Sequence, residues 1–342
     1  MKAMVLEEFN QPLKLRELDI PKPAADEVLI KVRACSICGT DLKIISGKID
    51  TVPLPLIPGH ESTGDVIEIG AEVKDLKVGD RVTVDLYVTC GQCKNCLAGR
   101  NTICMESIKR YGFEVNGGFA EYMVVKEEKA VKVPDTMTYP EAALIPDAIA
   151  TSVRAFADRY HLQEGEIVLV LGIGGLGIHG VQVAKAYGAT VIAADVDNKK
   201  LQRAKELGAD YTCNTAEEDL VAFCKSLTNG YGVDVVGEYV GIPKVSELGL
   251  KCLRMGGTMI FLGYAPGTVF EVPSMDIAMG ERTITGSRAM DRKSMLEAIR
   301  LVSEGKVKPQ VDSYFALEDA NAALERLKGE GYLGRGLLAI DL

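Results

Sequence analysis

Leu169-Val-Leu-Gly-Ile-Gly-Gly-Leu-Gly-Ile-His179, near the middle of the chain, joins an apolar run to a glycine-rich turn. An apolar run at 167–171 predicts a fully buried strand, and the apolar positions after the glycines follow the period of a helix. Gly172, Gly174 and Gly177 fit G-x-G-x-x-G at this strand-to-helix turn. Such glycines allow a tight turn, close approach of the backbone to a pyrophosphate and close packing of helix on strand. A plain glycine turn is the alternative interpretation.

A second apolar strand at 190–194 follows the helix, and Asp195 stands at its end, eighteen residues after Gly177. A carboxylate at this place accepts hydrogen bonds from the ribose hydroxyls of an adenosine and repels a 2′-phosphate. The helix N-terminus adds unpaired N–H groups and the positive end of a dipole. We therefore predict a dinucleotide site, with NAD favoured over NADP, formed by Gly172, Gly174, Gly175, Leu176, Gly177 and Asp195.

Composition limits the remaining possibilities. The chain has 342 residues, of which 47% are hydrophobic and 25% charged, as expected for two globular domains. Its net charge of −9 argues against nucleic acid or an anionic membrane as a main partner. No run of about twenty apolar residues is present, and the N-terminus lacks the core of a signal peptide. We expect a cytoplasmic protein.

The elements around the glycine turn indicate two architectures. Residues 1–88 contain short alternating strands broken by prolines, whereas strands and helices alternate after residue 166. Parallel strands joined by helices predict a doubly wound sheet. The tail, at 334–340, resembles a strand that rejoins the N-terminal β domain. We predict further strands at 233–237, 258–262 and 283–286, and helices at 198–207, 216–227, 244–253, 292–303 and 317–327.

Four of the nine cysteines lie within fifteen residues, in the pattern Cys90-x-x-Cys93-x-x-Cys96-x7-Cys104. A tetrahedral ion can gather four thiolates at these spacings from one loop. The alternatives are a redox pair or unrelated buried cysteines, but the residues between the first three cysteines are poor core material. The pattern predicts a structural zinc site with all four positions closed.

A second set of metal-binding residue types is dispersed along the chain. Cys38 lies in Cys-Gly-Thr-Asp, His60 in Gly-His-Glu, and Asp147 follows Pro146. Each residue alone is weak evidence, because a cysteine beside glycine is usually a small core residue. Together they supply one thiolate, one imidazole and one carboxylate, which suits a catalytic zinc with three protein ligands and one open position.

With these motifs in their order, the chain resembles the zinc-dependent medium-chain alcohol dehydrogenases over essentially its whole length. The resemblance implies a GroES-like β-rich catalytic domain at 1–148 with a structural zinc lobe at 88–106, a Rossmann NAD-binding domain at 149–288, and a return to the catalytic domain at 289–342. It also implies an active site between the domains, two Zn²⁺ per chain, NAD(H), an alcohol or carbonyl substrate, and a homodimer or homotetramer.

The resemblance also implies roles for individual residues. Cys38, His60 and Asp147 correspond to the catalytic zinc ligands. Thr40 corresponds to the hydroxyl that contacts the substrate oxygen, and Asp41 to the carboxylate that orients His60. The remaining correspondences are Glu61 to a carboxylate behind the zinc, Arg335 to an arginine that reaches the cofactor pyrophosphate, and Lys200 to a lysine near the adenosine ribose, although a solvated helix charge explains Lys200 equally well.

One position departs from the pattern of many relatives. Lys43 stands where they have a histidine three residues after the relay hydroxyl. The proton then leaves through the cofactor ribose and Lys43, through water, or by another route. Arg288 meets either an acidic substrate group or the cofactor, or it is an ordinary surface arginine.

The substrate stays open at this point. A simple primary or secondary alcohol is favoured over a polyol or sugar, because the sequence offers no clear polar cluster beyond the zinc ligands. A zinc-free reductase of enones or quinones would need none of the three catalytic ligands and would hold about one zinc per chain instead of two. A protein that binds NAD without turnover is a further alternative that nothing in the sequence favours.

Overall fold

The structure is a computed structural model that describes residues 1–342, and the chain forms two compact units. It contains seventeen strands: β1 (Lys2–Val5), β2 (Lys14–Glu17), β3 (Glu27–Ile37), β4 (Glu61–Ile69), β5 (Arg81–Val84), β6 (Tyr87–Thr89), β7 (Ile108–Arg110), β8 (Tyr122–Lys126), β9 (Ala130–Lys132), β10 (Ile167–Leu171), β11 (Thr190–Asp195), β12 (Tyr211–Asn214), β13 (Val233–Glu238), β14 (Leu253–Phe261), β15 (Thr283–Gly286), β16 (Val311–Phe315) and β17 (Arg335–Ala339).

Eleven α-helices accompany the strands: α1 (Gly39–Ile45), α2 (Lys94–Leu97), α3 (Tyr139–Ala143), α4 (Ala150–Val153), α5 (Gly177–Ala186), α6 (Asn198–Glu206), α7 (Leu220–Leu227), α8 (Pro243–Cys252), α9 (Ser274–Ala278), α10 (Arg292–Ser303) and α11 (Ala320–Gly329). Two π-helical segments, Ile145–Ile149 and Arg154–Tyr160, flank α4. Short 3₁₀ turns lie at Asn101–Ile103, Glu127–Lys129 and Leu317–Asp319. None of the helices is both long and apolar enough to cross a membrane.

One unit consists of Ala148–Met290 and Glu304–Gln310. Its six-stranded sheet has the order β12-β11-β10-β13-β14-β15, and every pairing is parallel. The strand order reverses between β10 and β13, which is the switch point of a doubly wound sheet. The predicted Rossmann architecture is therefore confirmed, and the glycine turn lies at the carboxyl end of β10 beside that switch point.

Burial on both faces explains why these strands have continuous apolar sequences. Leu169, Ile192 and Val236 are wholly buried and belong to one core cluster with residues of α7 and α8. Helix α5 packs on β10 and β11 and α6 packs on β11 and β12, whereas α8 packs on β13 and β14 and contacts α7. Parallel strands covered on both sides have no solvent-facing row, so their sequences do not alternate.

The other unit consists of Met1–Asp147, Asp291–Ser303 and Val311–Leu342. Its main sheet has the order β16-β17-β3-β4-β5-β9, with β8 also pairing β3. Antiparallel pairing predominates, and valines such as Val28, Val66 and Val82 fill the core between the strands. Gly336 of β17 pairs with Ile37 of β3, so the C-terminal tail returns to the N-terminal sheet as predicted.

Two predicted helix starts are wrong for physical reasons. Helix α7 begins at Leu220 instead of 216, because Asp219 caps it: its Oδ1 accepts from the N–H groups of Val221 and Ala222 at 2.9 and 3.1 Å. The segment predicted as helix from 317 starts with a 3₁₀ turn, and the α-helical part begins at Ala320.

Candidate active site and metal centres

Cys38 lies where β3 ends and α1 begins. Its thiol caps the short helix by accepting from Thr40 N–H at 3.5 Å, and Asp41 Oδ2 accepts from Cys38 N–H at 2.8 Å. This reciprocal capping fixes the thiol at the positive end of a helical turn, a place that stabilises negative charge. The Cys-Gly-Thr-Asp sequence thus caps a helix as well as supplying a possible metal ligand.

His60 immediately precedes β4, and the glycine before it is required by the backbone. Gly59 has φ +94°, and a Cβ there would stand 2.4 Å from the ring of Phe119. The imidazole Nδ1 lies 3.1 Å from Asp41 Oδ1. Asp41 is wholly buried, so one carboxylate joins the backbone of Cys38 to the ring of His60.

The charges around His60 favour a cation. Burial disfavours a charged ring, but the negative charges of Asp41 and Cys38 raise the pKa of His60 well above its usual value. Either a proton or a metal ion on the imidazole can balance these negative charges, and a metal ion would displace the proton. Phe113 packs against the imidazole with the ring centroids 5.2 Å apart.

Asp147 and Glu61 reach the same place from other elements. Asp147 lies in the π-helical segment Ile145–Ile149, a kind of irregularity that is frequent at functional sites. Its Oδ2 stands 3.7 Å from Cys38 Sγ. Glu61 begins β4 and is wholly buried, and burial raises its pKa to about 7 against the opposing charge of Arg335.

Arg335 is the counter-ion of these carboxylates. The pairing of Gly336 with Ile37 brings Arg335, the first residue of β17, beside the end of β3. Its Nη2 lies 2.9 Å from both Glu61 Oε1 and Asp147 Oδ2. The contact with Asp147 is a hydrogen bond. Glu61 Oε1 pairs with Arg335 by charge without a hydrogen bond, and Glu61 Oε2 also accepts no hydrogen bond.

The four side chains together satisfy the requirements of a zinc site. The donor atoms of Cys38, His60, Glu61 and Asp147 all lie within 4.8 Å of one another. A thiolate, an imidazole and carboxylates are the ligand types that zinc takes, and a catalytic site uses three of them with one position open. Neither oxygen of Glu61 accepts a hydrogen bond, although Oε1 has a charge contact with Arg335. This is a further sign that a cation belongs here, since buried polar atoms are normally hydrogen-bonded.

The cysteine lobe offers a second donor set. Cys90 Sγ lies 3.4 Å from Cys104 Sγ and 3.9 Å from Cys96 Sγ, and Cys93 Sγ lies 3.9 Å from Cys104 Sγ. Tetrahedral sulfurs about 2.3 Å from a zinc ion stand about 3.8 Å apart. Backbone N–H groups also donate to these sulfurs, and such bonds lower the pKa of Cys104 to about 6. The lobe therefore fits a closed four-thiolate site.

The glycine turn has the geometry of a phosphate cradle. Gly172 has φ +95°, and a Cβ on Gly177 would stand 1.9 Å from Gly172 O, so both positions exclude side chains. A Cβ on Gly174 would meet no atom within 4 Å. The N–H groups of Gly174, Gly175 and Leu176 donate to no group of the chain. Unpaired N–H groups beside open space at the start of a helix suit a pyrophosphate.

Asp195 lies beside this turn. Its Oδ2 accepts from Ile173 N–H at 2.7 Å, and its Oδ1 accepts from the N–H groups of Val196 and Asp197 at 2.8 and 3.1 Å. These bonds fix the carboxylate and leave one acceptor site, on Oδ2, for a ribose hydroxyl. Lys200 lies in the first turn of α6, and no hydrogen bond joins it to Asp195.

Comparison with known proteins identifies the family. Residues 24–135 match the family described as alcohol dehydrogenase GroES-like domain, and residues 175–304 match zinc-binding dehydrogenase. An alcohol dehydrogenase of Geobacillus stearothermophilus is 39% identical over 100% of both chains. The chain belongs to the zinc-dependent medium-chain dehydrogenase/reductase family. The predicted family and fold class are thus confirmed, and the chain is an oxidoreductase.

Other members of the medium-chain dehydrogenase/reductase family are similar to this chain at comparable levels. A sorbitol dehydrogenase of Bacillus subtilis is 35% identical, covering 95% of this chain and 93% of its own. A crystal structure of an NAD-dependent alcohol dehydrogenase superposes with a TM-score of 0.93 at 30% identity over 100% of both chains. Different substrates thus occur among relatives of this family with similar identity.

Sequence reasoning missed three features of the site in this family member. Phe113 packs on His60, and Arg335 pairs with Asp147 and Glu61. Arg110, which stacks on Phe113 with Cζ 4.0 Å from the ring centroid, forms a polar cluster with Glu114 and Thr51. None of these contacts has a signature at short sequence spacing. The pairing of the tail strand with β3 is the one signal from which the position of Arg335 could have been found.

Proposed function

We propose that this chain transfers hydride between NAD(H) and an alcohol/carbonyl pair, with a zinc ion held by Cys38, His60 and Asp147. The observation that carries the proposal is the group of four donors, Cys38, His60, Glu61 and Asp147, within 4.8 Å of one another. Zinc, when bound, supplies a Lewis acid to the substrate oxygen, and NAD(H), when bound, accepts or supplies the hydride.

The surrounding residues keep the donors in position. Asp41 holds the backbone of Cys38 and orients the ring of His60 at the same time. Arg335 holds Asp147 Oδ2 and neutralises part of the charge of two carboxylates. Glu61 lies close enough to the other donors to approach the ion when a ligand exchanges, which gives it a supporting role without a permanent bond.

Thr40 and Lys43 are the proposed route for the proton. An alcohol that is oxidised to a carbonyl must give up its hydroxyl proton as well as a hydride. Thr40, two residues after Cys38 on the same helical turn, would accept that proton on Oγ1 while passing its own hydroxyl proton outward. Lys43 follows one turn later; burial lowers its pKa, although the thiolate of Cys38 opposes this, so it exchanges a proton more readily than an exposed lysine.

We propose that the dinucleotide binds at the glycine turn of the six-stranded unit. Unpaired N–H groups at Gly174, Gly175 and Leu176 support a pyrophosphate site, and the fixed carboxylate of Asp195 supports recognition of the ribose and a preference for NAD. Similarity to an NAD-dependent alcohol dehydrogenase supports the same cofactor. Contacts of Lys200 with the ribose and of Arg335 with the pyrophosphate stay predictions.

A polyol is the second candidate substrate, and a specific observation favours it. Arg110 and Glu114 are only 13% and 12% exposed and form an ion pair in which Arg110 Nη2 and Thr51 Oγ1 each lie 2.5 Å from Glu114 Oε1. This cluster adjoins Phe113, which packs on His60. Polar groups one side chain away from a proposed zinc ligand can bind additional hydroxyls, and the similarity to a sorbitol dehydrogenase points the same way.

Domain bounds, assembly and location complete the proposal. The GroES-like catalytic domain takes 1–148 and 289–342, and the NAD-binding domain takes 149–288. A homodimer or homotetramer is supported by β15, which is an edge strand, and by three exposed methionines: Met255 on the neighbouring strand β14, and Met275 and Met279 in and at the end of α9. All nine cysteines are free, and each is either buried or part of a donor cluster, which suits the reducing cytoplasm.

Initial rates of NADH formation would test this function. Zinc-loaded protein receives NAD or NADP with a panel of primary alcohols, secondary alcohols and polyols, and NADH with the corresponding carbonyls. We expect turnover with NAD, at least tenfold faster than with NADP. Turnover of polyols above simple alcohols would select the second candidate. Turnover of enones alone, unaffected by removal of zinc, would contradict the proposal.

A further inference from the structure

His179 is a wholly buried residue of α5, two positions after the last glycine of the turn. Its Nδ1 lies 2.8 Å from the carbonyl oxygen of Gly175, and its Nε2 lies 3.0 Å from the backbone nitrogen of Gln310. The imidazole therefore joins the glycine turn to a segment more than a hundred residues away. Neither the zinc chemistry nor the dinucleotide motif requires a histidine at this position.

The two partners determine the tautomer of the ring. A carbonyl oxygen can only accept a hydrogen bond, so Nδ1 carries a proton and donates it to Gly175 O. A backbone N–H can only donate, so Nε2 is bare and accepts from Gln310 N–H. The neutral Nδ1–H form satisfies both contacts, and Gln310 fixes the form in which His179 can hold the turn.

The bond to Gly175 has a consequence for the next N–H group. The carbonyl of Gly175 and the N–H of Leu176 belong to one trans peptide unit, in which the two groups point in opposite directions. His179 holds the carbonyl on its own side, so Leu176 N–H points away from the protein core. That N–H donates to no group of the chain. A glycine has little intrinsic preference for one orientation of its peptide planes.

The other anchor is itself well held. The segment Glu304–Gln310 packs with the six-stranded unit, although α10 before it and β16 after it belong to the other unit. Gln182 of α5 forms two hydrogen bonds with the backbone of Lys308: its Nε2 donates to Lys308 O at 3.0 Å, and its Oε1 accepts from Lys308 N–H at 2.8 Å. Arg203 of α6 donates to Gln310 Oε1 at 2.6 and 3.1 Å.

We propose that His179 is a positioning residue for the dinucleotide: by holding Gly175 O, it aims Leu176 N–H at the cofactor pyrophosphate. The inference rests on the proposed NAD(H) site and concerns affinity for the cofactor, not the chemical step. A hydrogen bond from a backbone N–H to a charged phosphate is stronger than one between neutral groups. Loss of its alignment should weaken cofactor binding about tenfold.

Two isosteric variants separate the two contacts of the ring. In His179→Asn the side-chain NH₂ takes the place of Nδ1 and still donates to Gly175 O, but the contact with Gln310 is lost. In His179→Gln the side-chain oxygen takes the place of Nε2 and still accepts from Gln310 N–H, but Gly175 O is released. Gln182→Ala is the matched control, because it removes both contacts with Lys308 and leaves His179 unchanged.

The test measures NADH binding by the rise in the fluorescence of directly excited NADH. ADP-ribose and adenosine, each used as a competitor of NADH, separate the contribution of the pyrophosphate to binding from that of the nucleoside. We expect His179→Gln to raise the Kd of NADH and ADP-ribose about tenfold and to leave that of adenosine unchanged. His179→Asn and Gln182→Ala should stay within about twofold of the wild type.

Several results would overturn the inference. The ring would serve packing alone if His179→Asn and His179→Gln lost affinity for NADH equally, or if His179→Gln lost affinity for adenosine in parallel. The same would follow if His179→Gln lost no affinity for NADH. If His179→Gln does not fold, the Kd of His179→Asn for NADH decides. A Kd within twofold of the wild type supports the proposal, and a tenfold loss of affinity overturns it. Wild-type protein that binds no NADH would overturn the proposed function together with this inference, whereas tight wild-type binding with an unaffected His179→Gln overturns the inference alone.

Discussion

The two donor clusters of this chain reach similar geometry in opposite ways. The four cysteines of the lobe lie within fifteen residues, and turns and one short helix bring them together. The ligands proposed for the catalytic zinc come from positions 38, 60 and 147, and meet only because β3, β4, β17 and a π-helical segment converge. One cluster depends on local chain geometry, and the other depends on the completed fold.

The surroundings of the two donor clusters also differ: local backbone groups contact one cluster, and side chains from distant elements contact the other. Backbone N–H groups stabilise the sulfurs of the lobe, and two of the four cysteines are partly exposed. In the other cluster Cys38 and His60 are only 5% and 4% exposed, and buried charged side chains, Asp41 and Arg335, orient or neutralise the donors. Changes in the lobe should therefore affect stability, whereas changes in the dispersed cluster should affect chemistry.

The largest expected effect is on turnover. Asp147→Ala removes one proposed ligand and leaves Arg335 with one carboxylate fewer, so kcat/KM should fall at least a thousandfold as Lewis-acid stabilisation worth several kcal/mol is lost. Steady-state kinetics and zinc content by mass spectrometry check this, and NADH affinity should not change. Near-wild-type turnover in protein that has lost the zinc of this cluster would refute the zinc mechanism.

A smaller effect, on stability, is expected in the lobe. Cys104→Ser should release one zinc and lower the Tm by about 10 °C, since a structural zinc contributes several kcal/mol to folding. Below the Tm, kcat should stay within about threefold of the wild type. Leu97→Ala is the control, because Leu97 lies in the same lobe but is 76% exposed. A Tm that is unchanged by Cys104→Ser would contradict the structural role.

Asp41→Asn should affect only the dispersed cluster. The amide keeps the shape and can still accept from Cys38 N–H, but it lacks the charge that orients and polarises His60. Zinc affinity at this cluster should fall about tenfold to a hundredfold, measured by competition with a chromogenic chelator. The affinity of the lobe is the internal reference, and an equal loss at both clusters would show that the effect is a general loss of stability.

The smallest effect is expected from Phe113→Leu. The substitution keeps an apolar side chain of similar size but removes the ring that packs on His60 and lies under Arg110. We expect kcat/KM to fall about threefold while both zincs are retained. Loss of zinc in this variant would mean that Phe113 holds the ligand itself and does not merely adjust its surroundings.

The sequence predicted the features that depend on local chain geometry better than those that depend on the completed fold. The cysteine spacing and the glycine turn are short motifs whose geometry is set by a few residues, and the apolar runs of β10 and β13 indicated the parallel sheet. Contacts between distant elements left no local pattern: Arg335 meets Asp147 only through the register of β17 on β3, and His179 meets Gln310 through the packing of Glu304–Gln310 on α5. The start of α7 was misjudged because the capping role of Asp219 outweighs the helix-forming residues before it.

Binding of two zincs in two different kinds of site can be tested by anomalous difference maps. Crystals of zinc-loaded protein would be measured on both sides of the zinc absorption edge. We expect two peaks per chain, one among the sulfurs of Cys90, Cys93, Cys96 and Cys104 and one beside Cys38, His60 and Asp147. A single peak, in the cysteine lobe alone, would contradict the zinc-dependent mechanism.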